Sequence, residues 1–308
     1  MPCETYMNSY TKRDCPCCDA SSTKAKLVAR SVPSAEELEF EELREHWRGF
    51  RKNSVFFSYY RCENCDLLYS PIYFNPDQLA QLYSRMGDNS GGVDTRILRR
   101  TQNSYFEILK NRVSLSGYWL EYGADIGLFS ERIIQEREVS SLTIVEPNLN
   151  SHATLTRLSA RKLTLVTDLS EIDSQVRFDV VVGIHVLDHF ANLHTELQEI
   201  YSNLKIGGSV FFVTHDEHSF LRLLLRKKWP PYCLQHPQIF NQTSIENTLK
   251  TIGFREVQTE KSPNFFDLRH LVSVVFSLLG IRPSLLKFIP KVTIRVPLGN
   301  FATLATKA

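Results

Sequence analysis

The chain of 308 residues lacks an excess of charge of either sign, since 36 Lys and Arg stand against 34 Asp and Glu. A net charge of +2 argues against a protein whose main task is to coat nucleic acid or an anionic membrane, so no nucleic-acid partner is expected. Long apolar runs are missing too. The longest, Leu271 to Ile281, is closed by Arg269 and Arg282 and has about half of the roughly 20 residues that span a bilayer. No transmembrane helix is expected, although contact of such a segment with a membrane surface stays open. Glycine and proline, at 13 each, are too few for a collagen-like or low-complexity chain. Around Cys3, Glu4 and Asp14 no basic segment precedes an apolar one, so no secretory leader is read and the expected compartment is the cytoplasm.

In that setting the seven cysteines imply reduced thiols or metal ligands rather than disulfides. Cys15 and Cys18 are spaced C-x-x-C, and Cys62 and Cys65 repeat the spacing. Cys17 lies inside the first pair, while Cys3 and Cys233 stand alone. Four thiolates in two knuckles suit tetrahedral Zn²⁺, a closed ligand set with a structural role. Residues 1–70 therefore read as a small zinc-binding module, with few core residues between its knuckles. Within it Ser34-Ala-Glu-Glu37 is a capping box leading into Leu38, Leu43 and Trp47, and Val55 to Tyr60 reads as a strand. A helical connector is expected over 71–112. Asn75 caps it, Pro76 takes the first helical position and Gln78 follows, and helical spacing resumes from Ile97 to Arg112 after the polar break at 87–92.

From residue 118 short apolar runs alternate with amphipathic segments. The runs are 118–122, 142–145, 163–166, 178–183 and 209–214, with helices expected at 128–138, 150–160 and 192–204. That alternation predicts an α/β domain over 113–260 with a doubly wound, Rossmann-like parallel sheet. A capping box at Thr243 to Glu246 opens a further helix, strands are expected at 255–260 and 301–306, and 261–308 is read as an extension completing the sheet.

Where the first strand meets the first helix stands Leu120-Glu-Tyr-Gly-Ala-Asp-Ile-Gly-Leu-Phe-Ser130. This turn falls at the carboxyl edge of the sheet, where ligands bind, and Gly123 and Gly127 let a ligand approach the backbone. The glycine spacing is not the G-x-G-x-x-G that suits a dinucleotide pyrophosphate, which disfavours a nicotinamide cofactor. Glu146 ends the second strand, where an acid can accept from both ribose hydroxyls, and Asp168 ends the third.

These residues resemble the class I S-adenosylmethionine-dependent methyltransferases, as do Phe178 to His189, similar to that family's fourth-strand motif, and Leu204-Lys-Ile-Gly-Gly-Ser209 with the strand after it. The resemblance implies S-adenosyl-L-methionine as cofactor. It implies that Glu121, Gly123 and Gly127 serve its methionine side, Glu146 and Pro147 the ribose, and Asp168 with Leu169 the adenine, with His185 beside them. Asp125 stands where the family usually has its middle glycine, which calls for a strained or rearranged turn. The two knuckles, followed by the connector, are similar to the zinc-binding front of a subgroup acting on sugars, which implies a sugar nucleotide or glycan as substrate and a place in polysaccharide biosynthesis.

Methyl transfer needs an aligned acceptor and a base. Candidate bases are His185, Asp188 and His189 after the fourth strand, His215 and Asp216 after the fifth, and His236 in Pro230-Pro-Tyr-Cys-Leu-Gln-His-Pro-Gln-Ile-Phe240. That last stretch resembles the Glu-His loop of the sugar C-methyltransferases with Gln235 in place of the Glu, so only His236 carries over and O-methylation with that histidine as base is expected; the alternatives are C-methylation of a keto nucleotide sugar and a non-catalytic cofactor-binding scaffold. Arg222, Arg226, Lys227 and Lys228 form a basic end to the helix before the loop, suited to a substrate diphosphate, a solvated face or an anionic membrane surface.

Overall fold

The computed structural model describes residues 9–47, 55–84, 94–158, 163–269, 271–273 and 289–308. Cys3, the break at 87–92 and most of the Leu271–Ile281 stretch lie outside the described residues.

A central sheet of seven strands carries the second half of the chain, in the order β12-β13-β10-β9-β6-β7-β8. Here β6 is Gly117–Tyr122, β7 Val139–Val145, β8 Leu163–Val166, β9 Phe178–Ile184 and β10 Leu204–His215, and these five run parallel. β12 (Phe254–Asp267) and β13 (Thr293–Lys307) close the edge, with β13 antiparallel to both neighbours. Both are longer than the sequence suggests. Their pairing runs from Phe254 opposite Lys307 to Asp267 opposite Thr293.

Successive strand side chains point to opposite faces, and both faces are covered. Trp119, Val180, Val182, Phe211 and Val213 pack with Tyr105, Phe106 and Leu109 of α3 (Thr95–Lys110) and Phe129 and Ile133 of α4 (Leu128–Gln135). The alternate residues Leu120, Val181, Val210 and Phe212 pack with Leu193, Leu197 and Ile200 of α6 (Leu193–Asn203) and Ile245 and Leu249 of α8 (Gln242–Ile252). This is the doubly wound α/β architecture that the sequence pattern predicts. The capping box expected at Thr243 sits two residues earlier. Asn241 accepts from Ser244 N–H at 2.8 Å and Ser244 Oγ accepts from Asn241 N–H at 2.9 Å.

The amino-terminal part differs from expectation in its core. Phe40, Leu43, Trp47, Phe57, Tyr73 and Phe74 form one buried cluster, and Ala29, Phe56, Tyr59 and Leu68 belong to a second. Only Tyr59–Arg61 of the predicted strand pairs, as β3. Before it, Phe56 N–H donates to Ser31 Oγ at 3.0 Å and Ser58 N–H to Glu36 at 3.1 Å, so side chains supply the bonds that a strand neighbour would. The Ser34 box opens a short 3₁₀ turn, Ala35–Glu37, and α1 (Phe40–His46) has its own reciprocal cap between Glu39 and Glu42. In the connector, α2 (Pro76–Ser84) starts as read, with Asn75 and Gln78 exchanging two bonds of 2.9 Å.

The front sheet is completed from far along the chain, because its order is β11-β4-β3-β2, where β2 is Lys26–Ala29, β4 is Leu68–Tyr69 and β11 is Gln238–Ile239. Arg13 locks this joint. Its guanidinium donates to Ser70 O at 2.8 Å, Ala191 O at 3.2 Å, Gln238 Oε1 at 3.3 Å and to Pro237 O. Burial lowers its pKa to about 10, opposed by nearby tyrosines. Arg13→Met would leave Ser70 O and Ala191 O without this donor and take one of two donors from Pro237 O, and a loss of about 3 kcal/mol in urea unfolding is expected.

Candidate active site

The strand order reverses between β6 and β9, and an open α/β sheet binds its ligand at the carboxyl edge of such a reversal. The turn after β6 is built for close approach. A Cβ on Gly123 (φ +72°) would lie 2.7 Å from Val186 Cγ2, and Gly127 (φ +76°), directly before α4, has Leu155 and Leu158 as tightly placed. Asp125 adopts the left-handed conformation as well, at φ +50°, which aspartate tolerates better than most side chains. Its N–H donates to Glu146 Oε2 at 2.8 Å, and Glu146 Oε1 accepts from Asn148 N–H at 2.9 Å. Glu146 therefore braces the turn from the neighbouring strand. A carboxylate has about four acceptor positions, so lone pairs remain for ribose hydroxyls.

Burial raises the Glu146 pKa, opposed by the two backbone N–H groups. Glu121 lies wholly inside, accepts from Ser130 Oγ, and is pushed by burial up to about 7. Asp168 is exposed and caps a 3₁₀ turn, and bonds from Ser170 hold its carboxyl below the usual value. Beside these, Pro147 is exposed and Leu169 is buried against the sheet. The residues present thus fit an adenosyl cofactor: a glycine turn, a ribose-type acid, and a third acid on the same edge.

Five of the six candidate base residues come together next to this edge, while the Asp216 carboxylate accepts from His218 N–H at 2.9 Å. His185 and His215 stack with ring centroids 4.5 Å apart, and Asn300 bridges them, its Oδ1 3.1 Å from His215 Nδ1 and its Nδ2 3.3 Å from His185 Nε2. Asp188 is fully buried and accepts from His215 N–H at 3.3 Å. His236 stands 5.3 Å from His215, centroid to centroid, with Nε2 3.2 Å from His189 Nε2. Its Nδ1 is 2.8 Å from Pro231 O, which can only accept, so Nδ1 carries the proton and Nε2 offers a lone pair to His189. Asn300 was not legible as a site residue. It comes from β13 and reaches the cluster because the sheet register sets it opposite His215.

The four knuckle sulfurs also converge, all within 4.8 Å of one another. Cys15 Sγ lies 3.5 Å from Cys65 Sγ, and Cys18 Sγ 3.6 Å from Cys62 Sγ. Tetrahedral zinc with bonds of about 2.3 Å needs sulfurs roughly 3.8 Å apart, so the set fits. Both knuckles have the same backbone. Asp19 N–H donates to Cys15 O and Asp66 N–H to Cys62 O, and both aspartates have positive φ. Cys17 is outside this foursome.

A methyltransferase-domain family model matches residues 74–259, more than half of the chain, and the chain belongs to that family. Similar solved structures include a chain of the Haloferax volcanii complex that contains the Trm112 methyltransferase activator. It is 10% identical with a TM-score of 0.52, over 74% of this chain and 96% of that one. The N-methyltransferase NodS from Bradyrhizobium japonicum, in complex with S-adenosylhomocysteine, is 13% identical with a TM-score of 0.47, over 75% and 97%. A SAM-dependent methyltransferase from Thermotoga maritima is 16% identical with a TM-score of 0.47, over 68% and 91%. No curated protein matches the sequence.

Glu121 makes a pH test available. Its folded pKa, about 7, lies above that of an unfolded carboxyl, so the native state holds the proton more tightly and stability falls as pH rises from the ordinary carboxylate range to about 7. Glu121→Gln keeps the neutral shape. Urea unfolding at pH 5 and pH 7.5 is expected to show a smaller loss in the variant than in the wild type, and equal losses would refute the assignment.

Proposed function

We propose that this methyltransferase uses S-adenosyl-L-methionine to methylate a sugar hydroxyl, on a nucleotide sugar or a glycan, in polysaccharide or glycoconjugate synthesis. The observation that carries the reading is the histidine cluster beside the braced glycine turn. When bound, the cofactor supplies an electrophilic methyl group. Gly123 and Gly127 give it room, and Glu146 holds its ribose while Asp168 and Leu169 border the adenine. Removal of the acceptor proton then falls to the histidines.

His189 is the proton acceptor and His236 its positioning residue. With His236 Nδ1–H donated to Pro231 O, the proton between the two rings belongs to His189 Nε2, which leaves the lone pair on His189 Nδ1. A proton taken there makes an imidazolium that still donates to His236, a stronger bond than before. This moves the base role from His236, favoured by sequence, to its neighbour, because the His236 ring is buried while His189 is only half-buried. Gln235 supports hydroxyl over carbon methylation. Standing where the sugar C-methyltransferases have Glu, it gives its amide to Trp47 O at 3.0 Å and adds no carboxylate.

Zinc on Cys15, Cys18, Cys62 and Cys65 completes the reading, as a structural ion that joins the knuckles. Protein purified without chelator is expected to hold about one zinc per chain, and Cys15→Ser with Cys62→Ser to lose it.

Calorimetric titration with S-adenosylmethionine is expected to show saturable binding, weakened at least about tenfold by Glu146→Ala, which removes a charge-assisted acceptor. With a sugar acceptor, His189→Ala lowers kcat by about 100-fold at unchanged cofactor affinity. His236→Ala gives a smaller loss and shifts the midpoint of the kcat–pH profile. Wild-type turnover in His189→Ala would remove this mechanism, and correctly folded protein that binds no S-adenosylmethionine would remove the function.

A further inference from the structure

Helix α7 (Phe220–Leu225) shows an unusual face to solvent. Phe220, Leu223 and Leu224 are 69%, 58% and 49% exposed, and their spacing of i, i+3 and i+4 places them on one side of the helix. The other side is anchored. Leu225 is buried and Leu221 half-buried, packed in a cluster with Trp229, Tyr232 and Ile239. Ser219 Oγ caps the helix, accepting from Arg222 N–H at 3.3 Å. The exposed leucines are therefore held in place from beneath and do not belong to a frayed end.

Three cations adjoin them. Arg226, Lys227 and Lys228 form the next 3₁₀ turn and are all exposed. From Ser219 to Trp229 there is no acidic residue, in a chain whose total charge is only +2. Large apolar side chains beside a run of positive charge match two layers of a bilayer surface at once: the acyl boundary takes the Phe and Leu side chains while anionic headgroups pair with the Arg and Lys. None of the described helices is long and apolar enough to cross a membrane.

We infer that α7 and its basic turn dock this protein on an anionic lipid surface, with Phe220, Leu223 and Leu224 entering the headgroup region. The underside of the patch leads to the site. Leu225 packs with Trp229, and the Trp229 ring lies 6.4 Å from that of His215. Docking thus brings the histidine cluster toward the membrane, where a lipid-anchored glycan would present its hydroxyls; this last step rests on the proposed sugar methylation, and the docking itself does not.

The test is flotation of the full-length protein with phosphatidylcholine vesicles, with and without phosphatidylglycerol. Phosphatidylglycerol is expected to raise the bound fraction about tenfold, and added salt to reverse the gain. The triple variants Phe220→Ser/Leu223→Ser/Leu224→Ser and Arg226→Gln/Lys227→Gln/Lys228→Gln should each cut binding about tenfold at unchanged S-adenosylmethionine affinity. No binding to anionic vesicles, or full binding by the apolar variant, overturns the inference. So does concentration-dependent dimerisation that the apolar variant abolishes, which would make the face a contact between two copies. Vesicle binding is read without turnover, so its failure and that of the methyl-transfer reading are separable.

Discussion

A buried backbone must find partners for its carbonyls, and in this protein one loop imposes that demand on everything around it. Residues 231–241 are buried without interruption, a rare condition for a segment with so little regular structure. The amino-terminal part meets the demand. Tyr73 donates to Leu234 O at 2.8 Å, Tyr59 to His236 O at 2.6 Å, Ser70 N–H to Pro237 O at 2.9 Å, and Arg13 adds its guanidinium. From the other side Gln238 donates to Leu187 O and Phe190 O, which fixes the turn carrying Asp188 and His189. The position of His236 against His189 is thus set jointly by residues more than a hundred positions apart.

The knuckles extend the same joint. Asp66, the left-handed residue of the second knuckle, accepts from Asn241 Nδ2 at 2.8 Å, and Asn241 caps α8. Arg61 beside it pairs with the buried Glu217 at 2.6 Å. A zinc ion holding the four sulfurs would therefore steady the front sheet together with the start of α8 and the loop before it. Its influence on the histidines would be mechanical, transmitted through packing and hydrogen bonds.

At the cofactor edge the balance is between strain and charge. Asp125 occupies a backbone region that costs a non-glycine residue of order 1 kcal/mol or more, and its N–H is repaid by a bond to a buried carboxylate. That carboxylate is in turn held by Asn148. The aspartate in place of a glycine is accommodated, because aspartate tolerates positive φ and its N–H finds a defined partner.

Periodicity and motif order made the parallel strands, their helices, the glycine turn, the two acids and the paired knuckles legible, since each depends on residues close in the chain and on a repeat of two or 3.6 positions. The aromatic core between the knuckles was harder to read: Phe56 and Phe57 look like one strand but enter different clusters. Asn300 at the histidines, Arg13 at the joint, β11 closing the front sheet, and the engagement of both His236 nitrogens have no local signature. The sequence by itself determined the parallel strands, the helices between them and the residue types at their ends, because those follow from local backbone preference and side-chain type. Only the tertiary structure decided which histidine faces which, because that depends on sheet register and on where a buried loop finds its hydrogen-bond partners.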